Sequence, residues 1–193
     1  MPVRYTNRRG KTYYLHRGLT KTGKSKYYFS MRLKGDLVDS IPEDYEIYEE
    51  PLRAQVFLQR KQPQAIVDSE KTLVENALAH LKGSKRYFVQ VRGKIITIFE
   101  SNEDLDAIRN SLDSSPFSFL RSRLEDTLKR SLTYTAVMRF TLVDEEHRIF
   151  NPERFCFRGA IDDWIGIGKP DQLDALIKRF LGFLGRESFY ELY

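Results

Sequence analysis

The chain has 193 residues, of which 41% are hydrophobic and 31% are charged. This hydrophobic fraction is large enough to form a core, which excludes a globally disordered protein. The single cysteine, Cys156, excludes an internal disulfide and any zinc site built on cysteine pairs, and we expect a reducing, cytoplasmic location. No apolar run reaches about 18 residues, and no apolar segment follows the N-terminus, so the sequence predicts neither a membrane span nor a signal peptide.

The net charge of +5 is distributed unevenly along the chain. Residues 1–34, here called the basic run, carry ten Lys or Arg and no acid. Residues 36–50, the acidic run, carry seven Asp or Glu and no base. Such asymmetry is evidence about partners rather than about fold. The sequence leaves open whether the two runs neutralise each other.

Residues 1–62 are expected to form a small basic antiparallel β module. Two stretches rich in Thr and Tyr, at residues 11–20 and 25–33, flank a turn in which Gly23 supplies the positive φ of a tight hairpin. Further short strands are predicted near residues 45–48 and 54–58, which gives three to five strands in all. A polar stretch that ends at Pro63 marks the predicted boundary.

Residues 63–193 are expected to form a larger domain. Apolar spacing and capping residues predict about four helices, which begin near residues 68, 101, 116 and 170. Alternating apolar residues around turns predict two antiparallel hairpins, at residues 87–99 and 132–157. The predicted fold class is therefore α+β, with a small antiparallel sheet module in front of an α+β domain.

The basic module carries a candidate nucleic-acid surface. Cations neutralise phosphates and release counterions, and aromatic rings stack unpaired bases at about 1–3 kcal/mol per base. A two-stranded ribbon can also enter a DNA major groove. The candidate residues are Arg8, Arg9, Lys21, Lys24, Lys26, Tyr14, Tyr27 and Tyr28. The same composition also suits a purely structural sheet, because Tyr and Thr pack well on a pleated surface and edge Lys residues block sheet-to-sheet pairing.

A second candidate site lies in residues 154–164, which hold the only Cys, the only Trp and two adjacent carboxylates. Asp162 and Asp163, with Arg158 nearby, can be interpreted as catalytic residues that hold Mg²⁺ or act as acid and base. Adjacent strand residues point to opposite faces, so both carboxylates can serve one site only in a loop. The three histidines lack metal-ligand spacing and no nucleotide-binding motif occurs, so the sequence predicts no resident metal and no cofactor.

Several segments resemble a group of uncharacterised bacterial proteins. The resemblance rests on YYLH at residues 13–16, TKTGK at 20–24, YYFS at 27–30, RFCFRG at 154–159 and IDDW at 161–164. It covers most of the chain. The resemblance implies a bacterial, cytoplasmic protein and implies nothing about chemistry.

These observations favour a non-enzymatic protein that binds DNA or RNA through its basic N-terminal module. One alternative is a metal-dependent hydrolase or nuclease that uses Asp162 and Asp163. Another is a protein-interaction module, or a homodimeric scaffold joined through the apolar tail at residues 189–193.

Overall fold

The computed structural model describes residues 1–103, 127, 130–156 and 162–192. Contacts between residues divide the chain into two compact units. The first unit holds Met1–Lys61 together with the described residues 127 and 130–133, and the second holds residues 62–103, 134–156 and 162–192.

The first unit contains two antiparallel sheets. Its strands are β1 (Arg4–Thr6), β2 (Thr12–Leu19), β3 (Ser25–Ser30), β4 (Tyr45–Glu49) and β5 (Val56–Arg60). β2 is the central strand of a three-stranded sheet, and β4 pairs with β5. After β3 the chain returns to the other edge of β2, where the Arg17 N–H donates to the Asp36 carbonyl and the Val38 N–H donates to the Leu15 carbonyl. The segment between Ser30 and Asp36 therefore crosses one face of β2.

The second unit is a six-stranded antiparallel sheet with two α-helices. Its elements are α1 (Asp68–Ala79), β6 (Tyr87–Arg92), β7 (Ile95–Ser101), β8 (Tyr134–Asp144), β9 (Ile149–Cys156), β10 (Asp163–Gly166), β11 (Asp171–Gln172) and α2 (Leu173–Phe180). The strands lie in the order β10-β9-β8-β7-β6, and β11 also pairs with β9.

One face of this sheet forms the core of the second unit. Alternate residues of the central strands are buried, as the two-residue period of a strand requires. The sheet contributes Ile96, Ile98, Met138, Phe140, Leu142 and Phe150, and the helices contribute Val74, Leu78, Leu173, Leu176, Ile177 and Phe180. No helix among the described residues is long and apolar enough to cross a membrane.

The predicted fold class, an α+β domain with about four helices and two hairpins, is wrong in its balance of helix and strand. The described residues hold eleven strands and two α-helices with defined bounds, besides helical residues at 127, 130 and 131. The helix expected from residue 170 begins at Leu173, because residues 171–172 pair with β9. It ends at Phe180, and a 3-10 segment at Leu181–Phe183 follows, so the helix stops before Gly185, which was expected to close it. The helices predicted to begin near residues 101 and 116 fall on residues 104–126 and 128–129, outside the described residues, while Ser101 itself ends β7.

Candidate nucleic-acid interface

The turn between β2 and β3 has a defined hydrogen-bonded geometry. The Thr20 N–H donates to the Lys24 carbonyl at 2.8 Å, and the Gly23 N–H donates to the Thr20 carbonyl at 3.0 Å. The Thr20 Oγ1 also accepts the Lys24 N–H at 3.1 Å. Gly23 has a φ of +77°, which glycine adopts without the cost that a side chain would impose. These contacts fix the backbone from which the neighbouring lysines project.

Three exposed lysines surround this turn. Lys21 lies in the turn itself, and Lys24, just before β3, begins a row at two-residue intervals in which Lys26 and Tyr28 lie on the same side of β3. Successive members of this row are about 7 Å apart, since a strand rises about 3.4 Å per residue. In the part of the chain that the structure describes, no carboxylate forms an ion pair with Lys21, Lys24 or Lys26. The row therefore presents uncompensated positive charge next to an aromatic ring.

Tyr28 stands on a buried histidine. Its ring stacks on that of His16, directly opposite in β2, with the centroids 5.3 Å apart and the planes 13° apart. His16 is only 2% exposed, and its Nε2 lies 2.8 Å from the carbonyl oxygen of Arg32 in the segment that crosses β2. The Tyr28 side chain is 43% exposed. The Tyr28 ring is thus packed against His16 and partly exposed to solvent.

Arg8, another candidate, is bound within the first unit. Its Nη1 lies 3.0 Å from Glu49 Oε1 in a part-buried ion pair and donates to the Glu50 carbonyl at 3.1 Å. Its Nη2 donates to the Pro51 carbonyl. Glu49 also accepts the Tyr5 hydroxyl at 3.0 Å and the Arg8 backbone N–H at 3.2 Å. Arg8 therefore joins the first strands to the β4–β5 hairpin.

The acidic run pairs with only part of the basic run. Besides Arg8 and Glu49, Arg17 Nε lies 3.0 Å from Asp36 Oδ2, and this hydrogen bond raises the pKa of Arg17. The N-terminal amine of Met1 lies 3.6 Å from Asp39. The other cations of the basic run make no ion pair with the acidic run among the described residues.

The remaining aromatic candidates differ from Tyr28 in exposure. Tyr27 lies on the opposite side of β3, where its ring is 6.1 Å from that of Tyr45 in β4. Tyr14 and Arg9 are half-buried. Of the eight predicted residues, the structure gathers Lys21, Lys24, Lys26 and Tyr28 around one end of the β2–β3 hairpin, and it separates Arg8 and Tyr27 from them.

The support of Tyr28 by His16 is a feature that the sequence reasoning missed. The sequence contains a signal for this contact in the pairing register of the hairpin. If the turn pairs residue 20 with residue 24, residue 16 must lie opposite residue 28. Counting register from the turn therefore identifies this stacked pair without a structure.

The carboxylates of the second candidate site lie at the edge of the sheet. Asp162 and Asp163 are both exposed, and Asp163 begins β10 opposite Cys156. The Asp163 Oδ1 accepts the Trp164 N–H at 2.7 Å. Arg158 lies outside the described residues, and within them no group of three acidic, His or Cys side chains is placed to hold a metal ion. The hydrolase hypothesis stays a prediction.

Arg154, in the same sequence segment, has a structural position. It is buried in β9, where its Nε donates to the Leu192 carbonyl at 2.8 Å and its Nη2 donates to the Tyr190 carbonyl at 2.9 Å. Phe189 is also buried and belongs to the core of the second unit. The described part of the tail proposed as a dimer contact therefore packs on its own chain, and Tyr193 lies outside the described residues.

The other face of β8 and β9 carries an ion pair that the sequence did not predict. Arg139 binds Glu153 through two hydrogen bonds of 2.8 and 2.9 Å, and the Thr141 hydroxyl donates to Glu153 at 2.7 Å. The Arg139 guanidinium carbon lies 4.4 Å from the centroid of the Trp164 ring. Burial raises the pKa of Glu153, but the hydrogen bonds from Arg139 and Thr141 outweigh it and lower the pKa overall.

Comparison of the chain with protein-family models, with curated proteins and with solved structures finds no match in any of the three.

Proposed function

We propose that the protein binds DNA or RNA through Lys21, Lys24 and Lys26 at the end of its β2–β3 hairpin. The observation that carries the proposal is the contrast among cations of the basic run. Arg8 and Arg17 are paired with acids, whereas the three hairpin lysines, like Arg4, Lys11, Arg32 and Lys34, are exposed and have no acidic partner among the described residues. The hairpin lysines differ from these in lying together beside the exposed ring of Tyr28. Unpaired surface cations are the groups that exchange counterions for phosphates.

The hydrogen bonding of the turn supports the same function. A mobile loop loses conformational freedom when it binds, which lowers its affinity. Here the hydrogen bonds of Thr20 hold the backbone of Lys24 in place before any ligand binds.

We also propose that the protein is bacterial and cytoplasmic, as expected from the sequence.

The proposal is tested by fluorescence anisotropy with labelled single-stranded and double-stranded DNA and RNA over a range of salt concentrations. Three phosphate contacts predict a slope of log K against log salt of about −2 for single strands and about −3 for duplex DNA. We expect the triple variant Lys21→Glu, Lys24→Glu, Lys26→Glu to lose binding at every salt concentration.

A matched control comes from the second unit, where Lys82, Lys85 and Lys169 are also exposed and have no ion pair among the described residues. Their triple replacement by Glu makes the same change in net charge and is expected to retain substantially more affinity. Equal losses in both triple variants would show that overall charge, rather than the hairpin, is responsible. Unchanged binding in the hairpin variant would overturn the proposal.

A further inference from the structure

We infer that the ligand of the hairpin is an unpaired nucleic-acid segment, one base of which stacks on the exposed face of Tyr28 while Lys26 and Lys24 hold the adjoining phosphates. This inference rests on the proposed function and specifies the class of ligand. Its basis is the row that begins with Lys24, just before β3, and continues with Lys26 and the supported ring of Tyr28 within that strand.

The orientation of Tyr28 is set before a ligand binds. His16 is buried and held at its Nε2 by the Arg32 carbonyl, so it forms a fixed base for the stacked tyrosine ring. A ring that is already oriented loses less side-chain entropy on binding than a freely rotating one. Base stacking on aromatic side chains tolerates any sequence, because every base has a π face.

The Tyr28 ring lies over Gly18 of β2. Gly18 lies opposite Lys26 in β2, and a Cβ at this position would come within 3.3 Å of Tyr28 Cε1. Because glycine has no side chain, the tyrosine ring can lie close over the β2 backbone at this position. Since Lys26 lies two residues from Tyr28 on the same side of β3, a base stacked on the exposed face of the ring keeps its phosphate near Lys26.

This geometry favours unpaired nucleotides over a duplex. Within a duplex each base is covered on both faces by its neighbours, so a tyrosine ring has no free face to stack on unless the stack is opened. In a single strand the bases are accessible, and stacking adds to the attraction of the phosphates. Entry of the ribbon into a major groove, the competing mode, needs no base to leave the stack.

The test compares labelled oligothymidylate, oligouridylate, an abasic oligomer of equal charge and a duplex, all at one low salt concentration. For the wild-type protein we expect tighter binding to the two single strands than to the abasic oligomer or the duplex. We expect Tyr28→Leu to weaken single-strand binding by about 5- to 150-fold, the range that corresponds to the loss of one stacked base. Tyr28→Phe keeps the ring and is expected to retain the affinity.

Tyr190→Leu provides the control, because Tyr190 in the second unit is also 43% exposed. We expect it to leave all four affinities unchanged. The abasic oligomer tests the inference on the unaltered protein, so a folding defect in Tyr28→Leu does not prevent a decision.

The outcomes separate this inference from the proposed function. Equal wild-type affinity for the abasic oligomer and oligothymidylate, or a preference for the duplex, would overturn base stacking and leave phosphate binding intact. Binding of none of the four ligands at low salt would overturn both.

Discussion

The guanidinium of Arg8 and the carboxylate of Glu49 lie 3.0 Å apart, which joins the basic run to the acidic run inside the first unit. Both side chains are largely shielded from solvent, and Glu49 also binds the Tyr5 hydroxyl and the Arg8 backbone N–H. This carboxylate therefore has a structural role. Its pairing removes Arg8 from the set of cations that are available to phosphates.

Replacing Glu49 with Ala is expected to lower the free energy of unfolding by about 1–3 kcal/mol, because it removes the acceptor of several part-buried donors. Urea denaturation followed by circular dichroism measures the change. Glu43→Ala serves as the control, since Glu43 is an exposed member of the same acidic run and has no hydrogen bond or ion pair among the described residues. If the two variants are equally stable, the Glu49 contacts do not stabilise the first unit.

The β2–β3 hairpin could be predicted from the sequence because its signals are local. Gly23 marks the turn, and the flanking residues alternate in the way that a two-stranded ribbon requires. The exposure of Lys21, Lys24 and Lys26 follows from their position around the turn. The sequence could not predict which cations are already paired with acids and which are free to bind phosphates. The acidic partner of Arg8, for example, is 41 residues away in sequence.

The short strands β10 and β11, which pair with the outer edge of β9, could not be predicted for a related reason. β10 has four residues and β11 has two, which is too short to show a period. They become strands because β9 offers an edge on which Trp164 lies opposite Phe155 and packs edge-on against it, with ring centroids 5.3 Å apart. The sequence shows the aromatic residues but does not show that this edge is free to pair.

The lowered pKa of Glu153 leads us to expect a specific dependence of stability on pH. Its pKa in the folded protein is lowered, so the ionised carboxylate favours the folded state. Its contribution is fully present above the unfolded value of 4.5 and is lost as the pH falls through the lower folded pKa. We expect the wild-type protein to lose stability in this acidic range, and Glu153→Gln to lack that part of the loss.

The measurement is the free energy of unfolding in urea at a series of pH values from neutral to strongly acidic. The difference between wild type and Glu153→Gln is expected to be largest near neutral pH and to shrink on acidification. Glu187→Gln, at an exposed residue with no ion pair among the described residues, is expected to show no such trend. A constant difference between wild type and Glu153→Gln would contradict the role of the Arg139 and Thr141 contacts.

Arg154 is expected to hold the C-terminal segment on the second unit, since its guanidinium donates to the carbonyls of Tyr190 and Leu192. Arg154→Met keeps a long apolar side chain in the core but removes both donors, at an expected cost of about 1–3 kcal/mol. Because the lost contacts involve only the last residues, the first effect should be local opening, seen as faster amide hydrogen exchange in Glu187–Glu191. Arg186→Met, at an exposed position nearby, should leave this exchange unchanged. If Arg154→Met instead raises exchange uniformly across the second unit, the arginine stabilises the whole sheet rather than its C-terminal segment.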